Sequence, residues 1–413
     1  MDTLDVAVIG AGPAGSAAAV TLARAGIDVG VFDKATFPRD KTCGDGLTTL
    51  ALRQLESLGL EPSTIGSWTD VTDCYVTSPS GYRIHLPLPD DGSGRFAAVA
   101  TRLDLDASLV DLARKEGATI VEGTELIAAT EDDDGVTLVL GRDRRPEREV
   151  RARWVVGADG MWSPLRRALG AGEPGYRGEW HAFRQYVSGV GDEAARHLHV
   201  MFEADLLPGY FWSFPLEGRR ANIGFGVQRG GKVAIGDMGA LWQELLHRPH
   251  IRDVLGPDVT PDGPHRAWPI PARIDRAVPT TRRALFVGDA VTACDLMTGE
   301  GIGQALLTGV TAAECIRDHG VVGDAGARYA TRLLDELEAD HRMSVLLVRA
   351  LKHRKGARTA IRVAGATPWT RRNFARWLFE DSPRGIAFTP SRWHRGALSG
   401  AGAYRDVRHE AAP

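Results

Sequence analysis

Cysteine is scarce in this chain of 413 residues, which contains four cysteines at widely separated positions. Because no two of them form a C-x-x-C pair, the sequence indicates neither a zinc site nor a disulfide framework. The chain also lacks a run of about 18 apolar residues, so no membrane-spanning helix is predicted. A basic segment followed by an apolar one, as in a secretory signal peptide, is missing at the start. We therefore expect a cytoplasmic protein with reduced thiols.

A strong excess of charge of either sign is missing as well. The formal net charge of −3 argues against general nucleic-acid binding. His197 and His199 alternate on a predicted strand and share a face, but no third ligand lies nearby, so no metal site is expected. The chain is too long for one compact core, and we expect two or three packed domains of undetermined oligomeric state.

A β–α–β pattern is present at the amino terminus, where apolar runs predict strands at residues 4–9 and 27–32 around a helix at residues 16–25. Gly10, Gly12 and Gly15 form a G-x-G-x-x-G motif between the first strand and the helix. These glycines permit a tight turn, close approach of a pyrophosphate and close helix packing, in that order.

The other residues of this unit also fit a dinucleotide. Pro13 and Ala14 lie within the glycine motif and are expected to contact the cofactor, and the amino terminus of the following helix presents free N–H groups and a positive dipole end to phosphates. Asp33 ends the second strand at the spacing of an acid that hydrogen-bonds a ribose, and Lys34 follows it. The unit as a whole predicts a dinucleotide site.

Two later segments, WVVGADG at residues 154–160 and ALFVGDA at residues 284–290, each bring an acid out of a strand. They resemble the second and third fingerprints of the flavoprotein family that includes p-hydroxybenzoate hydroxylase. The resemblance implies non-covalently bound FAD, with Asp289 at its ribityl chain and Arg102, in an R-x-x-L-D segment, at the flavin. The other cofactor contacts that it implies are Asp159, Gly288, Gly299, Gly301 and Ile302.

Three further segments are similar to those of the geranylgeranyl reductase family. FPRDKTCGDGL at residues 37–47 resembles P-R-x-K-x-C-G-G-G-L, and YFWSFP at residues 210–215 with GFG at residues 224–226 resembles Y-x-W-x-F-P…G-x-G. MTGEGIG at residues 297–303 resembles L-T-G-E-G-I-G. The resemblance implies a reductase of isolated double bonds in prenyl chains.

Site roles follow from this second resemblance. Cys43 either donates a proton to the alkene or merely fills space, and Tyr210 is the other candidate proton donor. Asp45 stands where the family usually has glycine, and it either contacts flavin or substrate or sits in the turn. The residues expected to line an apolar substrate cavity are Trp212, Phe214 and Phe225.

Other functions remain open at this point. Since no second G-x-G-x-x-G follows a fresh strand, the electron donor is expected to bind transiently, as NAD(P)H or as a reductase protein. A monooxygenase of an aromatic or polyketide metabolite would share the fold and the FAD. A flavin-dependent halogenase would have W-x-W-x-I-P, where Tyr210 and Phe214 depart from the motif. A flavin-dependent sensor or scaffold is the non-enzymatic alternative.

The predicted fold class is α/β: a Rossmann-like, p-hydroxybenzoate hydroxylase-like FAD-binding domain with an inserted antiparallel β-sheet substrate domain and C-terminal helices. The FAD-binding domain is assigned to residues 1–70, 100–175 and 278–335, the sheet domain to residues 71–99 and 176–277, and the helical region to residues 336–413. Strands of the inserted sheet are expected at residues 182–188, 197–203, 210–214 and 221–226.

The C-terminal region has one unusual property. Residues 342–376 contain many basic residues and apolar side chains but no Asp or Glu. Such a helical segment is either a solvated face that balances acids elsewhere or a peripheral contact with an anionic membrane. Residues 396–413 are expected to be frayed.

Overall fold

The computed structural model describes residues 2–89, 92–320, 323–379, 385, 390 and 400–405. Its strands, in chain order, are β1 Asp2–Ile9, β2 Val29–Phe32, β3 Gly46–Leu47, β4 Thr69–Asp70, β5 Asp73–Thr77, β6 Arg83–Pro87, β7 Ala98–Val99, β8 Thr119–Val121, β9 Glu125–Glu131, β10 Val136–Arg142, β11 Arg145–Gly157, β12 Trp180–Ser188, β13 Leu198–Met201, β14 Phe211–Leu216, β15 Arg220–Gln228, β16 Thr260–Pro261, β17 Arg266–Ile270 and β18 Ala284–Phe286.

The α-helices, in chain order, are α1 Pro13–Arg24, α2 Thr49–Ser57, α3 Arg102–Lys115, α4 Pro164–Ala168, α5 Asp192–Arg196, α6 Met238–His247, α7 Pro249–Leu255, α8 Ile302–His319, α9 Ala325–Leu351, α10 Arg354–Ala364 and α11 Pro368–Leu378. None of these helices has the length and apolar character needed to cross a bilayer.

The first large sheet has the strand order β8-β2-β1-β11-β10-β9, with β18 beside β11. β1 pairs in parallel with β2 and β11, and β11 pairs in parallel with β18. These strands are apolar over their whole buried length because helices cover the sheet. α1 packs against α8 so closely that a Cβ at Gly309 would lie 2.1 Å from the Ala14 carbonyl oxygen.

The predicted β–α–β unit is confirmed in this sheet. The helix begins at Pro13, three residues earlier than the apolar pattern indicated, with Gly12 as its N-cap. Proline is well placed there because a first-turn N–H has no partner within the helix. The Asp-Gly pair at residues 134 and 135 predicts a hairpin over residues 126–140, and the structure confirms it: Asp132 Oδ1 accepts hydrogen bonds from the backbone N–H groups of Asp134 and Gly135 between β9 and β10.

The second large sheet has the order β16-β12-β15-β14-β13-β5-β6, with β17 beside β12. Its pairs are antiparallel except for β13 and β5, which are parallel. One face packs on α6 and α7 around Trp242, Phe183 and Phe225. The opposite face looks toward the carboxyl ends of the strands of the first sheet, and the candidate site lies between them.

The C-terminal helices α9, α10 and α11 were expected and are present. The frayed end was a wrong prediction for residues 400–405. Ala403 is fully buried and exchanges backbone hydrogen bonds with Arg95, and the Tyr404 hydroxyl donates to the Leu60 carbonyl at 2.7 Å. Apolar burial and backbone pairing hold this segment although its composition is rich in glycine and alanine. Residues 396–399 and 406–413 lie outside the described residues.

Candidate active site

A cavity of about 690 Å³ lies between the two large sheets. The ends of β1, β2, β11 and β18 border one side of it, and β12 to β15 and β17 border the other. Its volume is in the usual range for small-molecule sites, and its position outside the carboxyl ends of parallel strands is the usual one for ligands in this fold class.

Most of the residues expected at the site do border this cavity. They are Gly10, Gly12, Pro13, Ala14, Asp33, Lys34, Cys43, Asp45, Arg102, Asp159, Tyr210, Trp212, Phe214, Gly288, Asp289, Gly299, Gly301 and Ile302. Gly15 and Phe225 are not among the bordering residues.

The three glycines of the motif have different roles. Gly10 has φ +102°, and a Cβ there would lie 2.4 Å from the Ala158 carbonyl oxygen. A Cβ at Gly15 would lie 1.8 Å from the Gly10 carbonyl oxygen, so the fold itself requires both glycines. At Gly12 the nearest atoms would be Nη2 of Arg39 at 3.8 Å and Nη2 of Arg102 at 4.0 Å. Gly12 therefore leaves an open space beside the guanidinium groups of Arg39 and Arg102. We call this space the cradle, and it suits a pyrophosphate.

Arg39 and Arg102 are held beside this cradle by one buried carboxylate. Nε and Nη2 of Arg102 donate to the two Asp106 oxygens at 2.7 and 2.8 Å. Nη1 of Arg39 lies 2.7 Å from Asp106 Oδ2. Two positive charges against one negative charge leave a net positive environment for phosphate oxygens. The sequence reasoning missed Arg39, although the P-R-x-K segment that contains it was noted.

Asp33 binds the backbone of the glycine-rich loop between β1 and α1. Its Oδ2 accepts a hydrogen bond from the Ala11 N–H at 2.7 Å, and its Oδ1 accepts one from the Ala35 N–H at 2.8 Å. Each carboxylate oxygen keeps a further lone pair, so the group can still accept a hydrogen bond from a ribose hydroxyl.

Asp159 and Asp289 border the middle of the cavity. Oδ2 of Asp159 accepts from the Leu165 N–H at 2.9 Å, and its other oxygen has no partner among the described residues. Burial raises the pKa of Asp159 to about 6. Asp289 accepts a hydrogen bond from the Cys294 thiol at 3.2 Å and lies 3.7 Å from Lys41 Nζ. Both acids have acceptor capacity for the hydroxyls of a bound cofactor.

The amino terminus of α8 also borders the cavity, through Gly299, Gly301 and Ile302. A Cβ at Gly301 would lie 2.8 Å from the Cys294 sulfur, so a side chain there would displace the Cys294 thiol. Oε1 of Glu300 accepts a hydrogen bond from the Gly303 N–H at 2.9 Å. The positive dipole end of this long helix favours negative charge in the cavity.

An aromatic wall formed by Tyr210, Trp212 and Phe214 covers the opposite side. The Tyr210 and Trp212 ring centroids are 6.2 Å apart, as are those of Trp212 and Phe214. The two alternate residues between them, Phe211 and Ser213, are fully buried on the other face of the sheet. The period of two along β14 thus gives the wall a single apolar face.

Phe225 was expected in this wall and lies elsewhere. It pairs with Phe211 across β14 and β15, so both side chains point away from the cavity. Its ring packs against Trp242 and Phe183. Because side chains alternate along a strand, Gly224 and Gly226 face the cavity where the sequence interpretation placed the phenylalanine.

Cys43 lies beside the aromatic wall. Cβ atoms built on Gly44 and Gly46 would lie 3.4 and 3.0 Å from Cε2 of Phe214, so the turn after Cys43 lies against that ring. The Cys43 sulfur accepts a hydrogen bond from the Asp45 N–H at 3.3 Å. Burial raises the pKa of the Cys43 thiol, and Arg102 opposes this effect. The thiol is therefore protonated near neutral pH and can donate a proton.

Tyr210 is the other candidate proton donor, and its hydroxyl is already engaged in a hydrogen bond. It donates a hydrogen bond to the Thr298 carbonyl in the loop before α8. This bond ties the aromatic wall to the glycine-rich loop. The geometry assigns Tyr210 to holding that loop more readily than to supplying a proton.

Asp45 is fully buried and belongs to a polar network. Its Oδ2 accepts hydrogen bonds from the Tyr186 hydroxyl at 2.6 Å and from Asn222 Nδ2 at 2.8 Å. Burial raises the pKa of Asp45 to about 6. Asp45 borders the cavity, but its side chain has no exposed surface, so we assign it to this network and not to contact with a ligand. Tyr186 and Asn222 were missed because no local sequence signal connects residues separated by more than 140 positions.

His197, just before β13, and His199, within β13, contact different neighbours. His197 Nδ1 lies 2.7 Å from Asp73 Oδ1, and the His199 ring stacks on Tyr75. Across the part of the chain that the structure describes, no group of three or more His, Cys, Asp or Glu is arranged to hold a metal ion.

Comparison with known proteins gives the same cofactor. The profile of the FAD binding domain family matches residues 3–306. A menaquinone reductase of Mycobacterium tuberculosis strain H37Rv is 34% identical over 336 residues, which cover 76% of this chain and 77% of the relative. The digeranylgeranylglycerophospholipid reductase 2 of Methanopyrus kandleri is 29% identical over 351 residues, covering 81% of this chain and 82% of the relative.

Solved structures share the fold. A geranylgeranyl bacteriochlorophyll reductase-like protein from Thermoplasma acidophilum superposes with a TM-score of 0.78 at 20% identity and covers 95% of this chain and 99% of its own. The halogenase PltM superposes with a TM-score of 0.71 at 16% identity, covering 94% of this chain and 84% of its own. The predicted fold class and the predicted FAD are confirmed. The chain belongs to the FAD binding domain family and is an FAD-dependent oxidoreductase of the geranylgeranyl reductase family.

Proposed function

We propose that this enzyme saturates isolated carbon–carbon double bonds in a prenyl-type substrate. The observation that carries the proposal is that the Cys43 turn lies against Phe214 in the same cavity as the dinucleotide loop. A thiol, an apolar wall and a cofactor cradle therefore share one space. The relatives named for the reduction of menaquinone and of digeranylgeranylglycerophospholipid support a prenylated substrate.

The reaction needs a hydride on one alkene carbon and a proton on the other. FAD, held beside Gly12, Arg39 and Arg102 and reduced by the electron donor, would supply the hydride from its N5. Cys43 donates the proton from its sulfur, which leaves a thiolate, and a proton from water restores the thiol. The Asp45 N–H and the nearby Arg102 guanidinium stabilise the negative sulfur. Proton donation by a well-placed group typically contributes about 10²–10⁴-fold to a rate.

The aromatic wall positions the alkene and excludes water. Tyr210, Trp212 and Phe214 present contiguous apolar surface, and Leu198 and Val200 of β13 continue it. An isolated prenyl double bond has no polar group for orientation, so shape and apolar contact must hold it. Cofactor contacts of Gly12, Arg39, Arg102, Asp33, Asp159 and Asp289 complete the proposed site.

The electron donor is proposed to be NAD(P)H or a reductase protein that binds transiently. The one glycine-rich loop that follows a strand in the β–α–β unit is assigned to FAD, so a resident second dinucleotide is not expected.

A substrate panel tests the proposed reaction. The FAD-loaded enzyme is supplied with NADPH or NADH, or with a chemical reductant, and with a prenylated quinone or a prenylated lipid. We expect a product two hydrogens heavier than the substrate. An aromatic substrate that gains one oxygen atom would instead establish a monooxygenase.

We further propose a peripheral contact with the cytoplasmic face of an anionic membrane. α10 buries Ala357, Ile361 and Ala364 and exposes its other side. Its exposed basic residues, with those of the adjoining segments, are Arg349, Lys352, Arg354, Lys355, Arg358, Arg362 and Arg372. Val363 and Trp369 are 60% and 61% exposed among them. Exposed basic and apolar side chains together suit an anionic lipid surface.

This surface is close to the cavity. Leu351 and Ala357 pack in one apolar cluster with Phe202 and Met297, and both Phe202 and Met297 border the cavity. Leu378 at the end of α11 borders it too. A lipid-soluble substrate would thus reach the site from the membrane across a single layer of side chains.

Vesicle co-sedimentation tests the contact. We expect binding to vesicles that contain anionic lipid, at about 1 kcal/mol for each basic residue near the surface, and none to neutral vesicles. The triple variant Arg354→Gln, Lys355→Gln, Arg358→Gln should lose binding. The matched control neutralises three exposed basic residues of the β10–β11 hairpin, Arg142, Arg144 and Arg145. Equal binding by both triple variants, or none by the wild type at low salt, would contradict the contact.

A further inference from the structure

Asp45 is unusual because a charged residue occupies a fully buried, left-handed turn. Its φ is +65°, a conformation that favours glycine, and its side chain is 0% exposed. Burying a carboxylate is costly unless hydrogen bonds compensate for the lost water. Here Tyr186 and Asn222 donate to one oxygen, while the other oxygen, Oδ1, has no partner among the described residues. A turn that required only the backbone shape would be served more cheaply by glycine.

The network leads from Asp45 to Cys43 by two routes. The Asp45 N–H donates directly to the Cys43 sulfur at 3.3 Å. Asn222 Nδ2 donates both to Asp45 Oδ2 at 2.8 Å and to the Cys43 carbonyl at 2.9 Å. Asn222 Oδ1 in turn accepts from Trp212 Nε1 at 3.1 Å, which connects the aromatic wall to the same turn.

We propose that Asp45 is a positioning residue for Cys43: its carboxylate, anchored by Tyr186 and Asn222, fixes the turn that directs the Asp45 N–H at the sulfur and places a negative charge beside the thiol. The charge keeps the thiol protonated and ready to donate, and the N–H stabilises the thiolate after donation. This role in catalysis rests on the proposed function of Cys43. The effect of the Asp45 charge on the ionisation of Cys43 does not depend on that proposed function.

The charged groups around this pair come from several elements. Arg102 of α3 faces both Cys43 and Asp45 and favours the negative form of each. Arg184 of β12 faces Asp45 and forms an ion pair with Asp40 at 2.6 Å. Glu300, before α8, disfavours the thiolate as Asp45 does. The charge of Asp45 can be removed by an isosteric substitution without breaking a described ion pair.

The test measures the ionisation of Cys43 in the FAD-loaded protein without substrate. The rate of alkylation by iodoacetamide is followed against pH, and mass spectrometry of the Cys43 peptide reports the labelled site. In Asp45→Asn the N–H donor remains and the charge is lost. We expect the midpoint of the alkylation rate against pH to fall by about one pH unit. At a pH below the midpoint, alkylation should therefore be roughly tenfold faster than in the wild type.

Asp45→Gly provides a second variant in case Asp45→Asn does not fold. Glycine suits the left-handed turn and keeps the N–H donor while the charge is lost, so the Cys43 midpoint should again fall. Asp192→Asn, an exposed carboxylate on α5, is the matched control and should keep the wild-type midpoint. A wild-type midpoint in either folded network variant would overturn the proposal. Since alkylation needs no turnover, this result stands apart from the outcome of the reductase assays.

Discussion

Gly224 lies directly opposite Trp212 in the second large sheet, and the indole occupies the space where a side chain at residue 224 would be. A Cβ there would lie 2.3 Å from Cζ2 of Trp212 and 2.4 Å from the Phe183 carbonyl oxygen. The glycine thus leaves room for the Trp212 ring beside the cavity. The first glycine of the G-x-G segment is explained by this contact.

Gly224→Ala should therefore destabilise the protein. Overpacking of this kind typically costs about 1–3 kcal/mol, and backbone on one side prevents simple relaxation. Thermal unfolding measures the effect. Gly226→Ala is the matched control, because a Cβ at Gly226 would meet nothing within 4 Å. Similar melting temperatures for the two variants would contradict this explanation of the motif.

Gly12→Ala should weaken FAD binding without unfolding the protein. Its Cβ would have no protein atom nearer than 3.8 Å, so the free energy of unfolding of the FAD-free protein should change little. The methyl group would, however, enter the cradle assigned to the pyrophosphate, and we expect at least a roughly tenfold loss of affinity, about 1.4 kcal/mol. Fluorescence titration of the FAD-free protein measures it. Unchanged affinity would place the pyrophosphate elsewhere.

Cys43→Ser should slow alkene reduction and leave FAD binding unchanged. A hydroxyl is a far weaker acid than a thiol, so we expect a rate reduction of about a hundredfold or more. Single-turnover kinetics of the FAD-loaded enzyme measures the rate, and the flavin absorption spectrum reports the cofactor. Cys315→Ser, at a buried cysteine of α8 that does not border the cavity, serves as control. A wild-type rate in Cys43→Ser would assign Cys43 to packing.

The raised pKa of Asp45 predicts a specific pH dependence of stability. Its pKa is about 6 in the folded protein against 3.8 as its ordinary value, because burial disfavours the carboxylate. The folded state then binds the proton more tightly than the unfolded state. The contribution of Asp45 to the free energy of unfolding is therefore full below about pH 3.8, is lost as the pH rises through about 6, and levels off above that.

Asp45→Asn removes this dependence. Relative to the wild type, the variant should become more stable between pH 5 and pH 8 by about 1 kcal/mol, as measured by chemical denaturation at both pH values. A stability difference between the two proteins that does not change with pH would show that Asp45 keeps an ordinary pKa in the folded state.

The sequence predicted the parts of this protein that depend on local pattern. The β–α–β unit, the hairpin of β9 and β10, and the strand ends that bear Asp33, Asp159 and Asp289 follow from periodicity and glycine spacing. Phe225 shows where this reasoning fails. Alternation along β15 allows either face for this side chain, and only the pairing of Phe225 with Phe211 shows that it points away from the cavity.

Contacts between distant segments were not predictable in the same way. The Asp45 network joins the turn before β3 to β12 and β15, and no pattern within any one of these segments indicates the others. Likewise, residues 400–405 have a composition typical of a frayed end, and their burial depends on the surface against which they pack. The packing of Arg39 beside Arg102 depends on Asp106, which lies 67 residues after Arg39.

The most direct test of the account is a single turnover without oxygen. The FAD-loaded enzyme is reduced with dithionite, excess reductant is removed, and a prenylated quinone or lipid is added while flavin absorbance and product mass are recorded. The account predicts that the flavin reoxidises without oxygen and that the product gains two hydrogens. A flavin that stays reduced until oxygen is admitted, with a product that gains one oxygen atom, would contradict it.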